Sequence, residues 1–195
     1  MRLRIRDFTV SLSFPSLALV TVIVLSGINS GYILCLFAVI LHELGHLIMM
    51  IIFKAEVSGF EISAFNITIV QNSRYSLSFG KDILCTLAGP AVNVLLFVVC
   101  SCVNRDFALV NLYIGAFNLL PASSLDGGQA LYLLLCRKLS ADRSALVSDI
   151  VTIITAALLF FIGIIILLNT KYNFSLLFIS LYLILSVFMK KDKYL

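Results

Sequence analysis

Six apolar runs, at 8–28, 31–53, 83–103, 107–125, 146–169 and 174–189, leave this chain few ways to fold. A helix needs about 20 apolar residues to cross the hydrocarbon layer of a bilayer. Inside that layer only elements that satisfy their own backbone hydrogen bonds survive. Composition agrees: 61% of the residues are hydrophobic and 12% charged, against about 45–50% and about 25% in soluble domains. A water-soluble globular fold, a disordered chain and a disulfide scaffold are all excluded on these grounds. The net charge is +4, but Lys and Arg sit in short clusters between the runs, with no basic face for nucleic acid. The pattern reads as an all-α polytopic membrane protein of about six transmembrane helices, forming one membrane-embedded domain over 1–195.

Lys and Arg concentrate on the cytoplasmic side of membrane proteins. With the N-terminus inside, 12 of the 14 basic residues fall in inner segments and only Arg105 and Lys171 in outer loops. Both termini are therefore expected in the cytoplasm. The basic start at 1–7 has the charge pattern of a signal peptide, but its apolar segment is too long and no Ala-x-Ala site follows, so an uncleaved first span is expected. The five cysteines, Cys35, Cys85, Cys100, Cys102 and Cys136, lie in or beside apolar spans without a Cys-x-x-Cys spacing. They read as small hydrophobic residues.

Segment 54–82 is too polar to cross, and 127–139 too short. In the first, Phe65, Ile67 and Ile69 alternate with Asn66 and Thr68; beyond Gln71-Asn72-Ser73-Arg74, Tyr75, Leu77 and Phe79 alternate with Ser76 and Ser78. Period-two patterning on both sides of a polar turn predicts a small cytoplasmic β-hairpin between spans 2 and 3.

An ionisable group near the centre of a membrane helix costs about 2.5–3.5 kcal/mol on insertion scales. Away from span ends, this chain keeps one such cluster, His42-Glu43-Leu44-Gly45-His46, which contains its only two histidines. At about 100° per residue the two imidazoles lie about 40° apart around the axis and one turn apart along it. That spacing lets them converge on one Zn²⁺, with Glu43 on nearly the same side as acid/base toward a zinc-activated water. A buried, mutually satisfied polar cluster is the competing reading.

Catalytic zinc usually has three protein ligands. Among the remaining acids, Asp126 stands apart, in Asn118-Leu-Leu-Pro121 through Leu125-Asp126-Gly127-Gly128 at the inner end of the fourth span. Spacing alone fits equally an aspartate capping the 127–139 helix. Topology favours the ligand: spans 2 and 4 run in the same direction, which brings His42–His46 and Asp126 to similar depths.

With these motifs in order, and Ala88-Gly89-Pro90-Ala91-Val92-Asn93 between them, the chain resembles the site-2 protease family of intramembrane zinc metalloproteases, and most closely its stage IV sporulation branch. The resemblance covers about 31–139 as a catalytic core; the C-terminal spans at 146–189 match only in being spans. It implies one zinc per chain held by His42, His46 and Asp126, with Glu43 as the catalytic acid/base. Asn93 and Asn118 match positions expected to place substrate or organise the site, though interhelical hydrogen bonding alone would also account for them. The implied substrate is a membrane-tethered protein, such as a transcription factor precursor, cut in or near its membrane segment. Membrane-protein regulators are further implied partners. Neither a PDZ-like insertion nor the nucleotide-sensing domain of the sporulation branch is expected.

Two alternatives stay open: a catalytically idle relative that binds membrane partners, and a metal transporter. Glu43 argues against the first, since an idle binder has no need of a costly acid there. Transporters tend to carry paired internal repeats, and none is visible.

Overall fold

A computed structural model describes residues 2–5, 8–12, 30–55, 57–62, 67–71 and 78–191. The chain divides into two compact units, Met1–Gly115 and Ala116–Leu195.

The first unit contains helices α1 (Ser30–Ile52), α2 (Phe79–Cys100) and most of α3 (Arg105–Asn118). It also contains a four-stranded sheet of β1 (Arg2–Ile5), β2 (Phe8–Leu12), β3 (Val57–Ile62) and β4 (Ile67–Gln71), in that spatial order. Strand β2 runs antiparallel to β1 and parallel to β3, and β4 returns antiparallel to β3. The second unit holds α4 (Asp126–Cys136), α5 (Ala141–Thr170) and α6 (Ser175–Lys191).

Both long helices of the first unit are turned inside out compared with helices of soluble proteins. On α1 the buried residues are Ala38, His42, Gly45, His46 and Met50, whereas Ile33, Leu36, Phe37, Ile40, Ile48 and Ile51 are exposed. On α2, Cys85, Ala88, Gly89, Pro90 and Asn93 are buried and Leu95, Val98 and Val99 exposed. Helix α5 repeats the pattern, hiding Ser144, Ser148, Thr152 and Ala156 and exposing Ile154, Leu158, Phe161 and Leu168. Small and polar residues let helices approach closely in a bilayer, where apolar side chains lose nothing by facing lipid.

Three helices are long and apolar enough to cross a membrane among the described residues: Gly31–Ile52, Phe79–Cys100 and Ala141–Thr170. Six such helices are not found among the described residues. The fourth expected span, 107–125, stops at Asn118, three residues before Pro121. Proline cannot donate into the helical ladder and disfavours helix in the residue before it. The sixth, 174–189, lies in α6, which has 17 residues. Of the first, 8–28, residues 8–12 form β2 and 13–28 lie outside the described residues. The alternation Phe8-Thr9-Val10-Ser11-Leu12 has the period of a strand.

The expected turn at Gln71–Arg74 lies, beyond Gln71, outside the described residues. Gln71 ends β4, whose antiparallel partner is upstream: Ile62 pairs with Ile67, Glu61 with Thr68 and Phe60 with Ile69. Positions 72–77 lie outside the described residues, and Phe79 opens α2. Phe60-Glu61-Ile62 alternates just as Ile67-Thr68-Ile69 does, and period-two patterning cannot say which neighbouring run a strand will choose.

In the second unit, Ala122, Leu125, Ala156 and Leu183 form a small core lined by Phe117, Leu120, Leu159 and Ile179. The segment between α3 and α4 is irregular but bonded. Ala122 donates to the Leu120 carbonyl at 2.8 Å, Leu125 to that of Ala122 at 2.8 Å, and the Ser123 amide to Thr152 Oγ1 on α5 at 2.9 Å.

Candidate metal centre

In the first unit, His42 and His46 are buried, at 4% and 8% exposure, with ring centroids 4.9 Å apart and planes at 80°. Their Nε2 atoms are 3.2 Å apart. Both rest on Gly89 of α2: a Cβ there would lie 2.7 Å from His42 Nε2 and closer still to His46 Nε2. Gly45 allows this approach from the other side, because a Cβ on it would come 2.8 Å from the Ala88 carbonyl oxygen. Only two glycines facing each other leave room for the imidazoles between these helices.

Each ring is held at its other nitrogen. His46 Nδ1 bonds the Cys85 carbonyl oxygen at 2.8 Å. A carbonyl only accepts, so this Nδ1 carries the hydrogen. His42 Nδ1 meets Asn93 Oδ1 at 2.5 Å. Asn93 Nδ2 donates to Asn111 Oδ1 at 2.9 Å, and Asn111 Nδ2 to the Phe107 carbonyl oxygen at 2.9 Å. The Phe107 carbonyl thus orients Asn111, which orients Asn93 with its oxygen toward His42. His42 therefore also donates from Nδ1.

The consequence is chemical. With both Nδ1 atoms donating, the two Nε2 atoms are turned toward each other at 3.2 Å, where a shared proton or a metal ion would satisfy both. Two nitrogens about 2.0–2.1 Å from zinc at a tetrahedral angle are about 3.3–3.4 Å apart. The observed spacing fits. Fixing the ligand tautomer by a hydrogen bond at the far nitrogen is the usual support of a metal-binding histidine.

Glu43 is half-buried on the same helix, about 60° around the axis from His46 and about 100° from His42. Asp126 and Asn118 belong to the second unit. Asp126 is the first residue of α4 and half-buried; the N-cap is Leu125, with extended φ −113° and ψ 163°, so the aspartate does not occupy the capping position. Gly128, two residues on, fits against the Ala122 backbone with no room for a Cβ. Asn118 closes α3 and is half-buried. All five cysteines are free thiols.

Two participants escape a reading based on ionisable groups. Asn111 is fully buried and carries the link from α3 to the ligand cluster, and Cys85 acts through its backbone carbonyl rather than its thiol. Asn111 had a usable signal, a costly amide within an apolar run; the Cys85 carbonyl had none.

Against known proteins, the model of peptidase family M50 matches residues 105–162. A zinc metalloprotease of Methanocaldococcus jannaschii is 29% identical over 143 residues, which are 63% of this chain and 41% of that protein. The chain thus spans under half the length of this curated relative. The solved structure of a site-2 protease from the same organism superposes with a TM-score of 0.72 at 22% identity, over 97% of this chain and 94% of that one. That likeness establishes a shared fold.

Proposed function

We propose that the chain is an intramembrane zinc metalloprotease that hydrolyses a peptide bond in or near the membrane segment of a membrane-tethered protein, close to the cytoplasmic face. The observation that carries this reading is the His42–His46 pair, whose Nδ1 atoms are both committed as donors and whose Nε2 atoms converge between apolar helices. The motif order, and the zinc metalloprotease among its relatives, support Asp126 as third ligand and Glu43 as acid/base.

Zinc, when bound, supplies Lewis acidity, lowering the pKa of a water toward about 7 and polarising a carbonyl. The chain does the rest. His42 and His46 hold two lone pairs in fixed directions, so little reorganisation accompanies binding. The Glu43 carboxylate takes the proton of the attacking water and returns it to the leaving amine nitrogen.

A helical substrate shields its own peptide bonds and must unwind to be cut. Strand β4 is an edge of the sheet among the described residues, and strand addition there would satisfy the freed backbone groups. The distribution of Lys and Arg supports cytoplasmic termini. The finer reading, a sporulation-type enzyme acting on a transcription factor precursor under the control of membrane-protein regulators, rests on motif resemblance.

Zinc content and cleavage, measured on purified wild type, Glu43→Gln and Asp126→Asn with a membrane-tethered substrate, test the proposal. Wild type should hold about one zinc and cut. Glu43→Gln should keep its zinc and lose at least about 10²-fold in turnover, and Asp126→Asn should lose zinc affinity. A folded wild type that binds no zinc refutes the enzyme. A Glu43→Gln variant that still transports metal would favour a transporter instead.

A further inference from the structure

We propose that Asn111 is a positioning residue for the His42 ligand, acting two hydrogen bonds away through Asn93. The inference rests on the zinc reading of the His42–His46 pair and goes beyond it, because Asn111 touches neither imidazole in this network.

Hydrogen-bond direction decides the outcome. An amide side chain can present either its oxygen or its NH₂ to a neighbour, so Asn93 alone does not decide how His42 is protonated. Were Asn93 reversed, its NH₂ would face His42 Nδ1, which would have to accept, and the hydrogen would move to Nε2, where it blocks metal binding. Asn111 prevents the reversal. Its own amide is fixed because Nδ2 donates to the Phe107 carbonyl oxygen, one helical turn back on α3. That leaves Oδ1 toward Asn93, where only an N–H can bond it. Asn93 Nδ2 also faces the Ala38 carbonyl oxygen at 3.5 Å, a second acceptor favouring the same orientation. Both amides are completely buried, so water is not at hand to satisfy a reversed arrangement.

The sequence makes room for the relay where it runs. Gly115, one turn after Asn111, brings α3 against α2 at Asn93: a Cβ there would lie 3.1 Å from the Asn93 Cβ. His46 Nδ1 is held directly by the Cys85 carbonyl. The Nδ1 atoms of the two ligands are thus set by different means.

The chain contains only two histidines, so nitrogen-15 NMR of histidine-labelled, metal-free protein in detergent reads both tautomers directly. Zinc affinity by chelator competition is measured alongside. In Asn111→Leu, His42 should lose its exclusive Nδ1–H form while His46 keeps it, and zinc affinity should fall about tenfold. Asn111→Asp retains an acceptor for Asn93 Nδ2 and should preserve the His42 tautomer. In an Asn93→Asp background the carboxylate accepts from His42 unaided, so adding Asn111→Leu should change neither tautomer nor affinity.

The proposal is overturned if His42 keeps its Nδ1–H form in Asn111→Leu, or if Asn111→Leu weakens zinc equally in both backgrounds, which would mark a packing role. Should Asn111→Leu fail to fold, Asn111→Asp still decides: loss of the Nδ1–H form there overturns the relay. Loss of zinc from wild type with both Nδ1–H forms intact would instead count against the zinc reading and leave the relay standing.

Discussion

Adding one methyl group at Gly89 tests the metal centre most directly. The new Cβ would lie 2.7 Å from His42 Nε2 and from His46 Cε1, where about 3.5 Å is comfortable. The His42 ring must therefore retreat by about 0.8 Å, and the His46 ring, whose Nε2 lies closer still, by more. Even a retreat of about 0.8 Å stretches the 2.8 Å bond from His46 Nδ1 to the Cys85 carbonyl to about 3.6 Å, which is no longer a hydrogen bond. Losing it at a buried donor costs about 1–3 kcal/mol, the same range as overpacking a core. Without metal the rings can swing aside; with metal they cannot. Taking about 2 kcal/mol, zinc affinity in Gly89→Ala should fall about 30-fold. Fold stability should fall less, because alanine regains about 1 kcal/mol of helix propensity. Chelator competition and thermal unfolding of the detergent-solubilised protein measure the two effects separately. Gly80→Ala on the same helix is the control, since nothing lies within 4 Å of a Cβ there; it should leave zinc affinity untouched. If Gly89→Ala binds zinc within about threefold of wild type, the imidazoles do not rest on Gly89 and the geometry is wrong.

Thr152 accepts from the Ser123 amide and donates to the Ser148 carbonyl, so Thr152→Val should cost about 1–3 kcal/mol in thermal unfolding, with Thr152→Ser close to wild type. Lys171 ends α5 at φ 64°, where glycine is at ease; Lys171→Gly should raise stability by about 0.5–1 kcal/mol on the same assay. On the edge strand β4, alternate amides point outward, so of Ile69→Pro and Val70→Pro one should abolish strand addition and slow cleavage of a membrane substrate. Equal, undiminished cleavage by both would remove β4 from substrate binding.

Much of this protein follows from local pattern. The core helices α1, α2 and α5 could be placed from the sequence within a few residues, because lipid demands long apolar runs and punishes every interruption. The His42–His46 spacing was equally legible, since four residues is one helical turn whatever surrounds it. Strand pairing was not: the period-two runs around 57–79 have several possible partners, and which one closes depends on the chain before and after them. Helix length at 107–125 was not legible, because apolar character continues past Asn118, where the helix ends ahead of Pro121. The tautomer of the imidazoles lay furthest from view. It depends on carbonyls of Cys85 and Phe107 and on amides of Asn93 and Asn111, spread over two helices and far apart in the chain. Two imidazoles on one helix face in an apolar setting follow from residue spacing and composition alone. Which nitrogens they present follows from the packed helices, because hydrogen-bond direction is a property of neighbours in space.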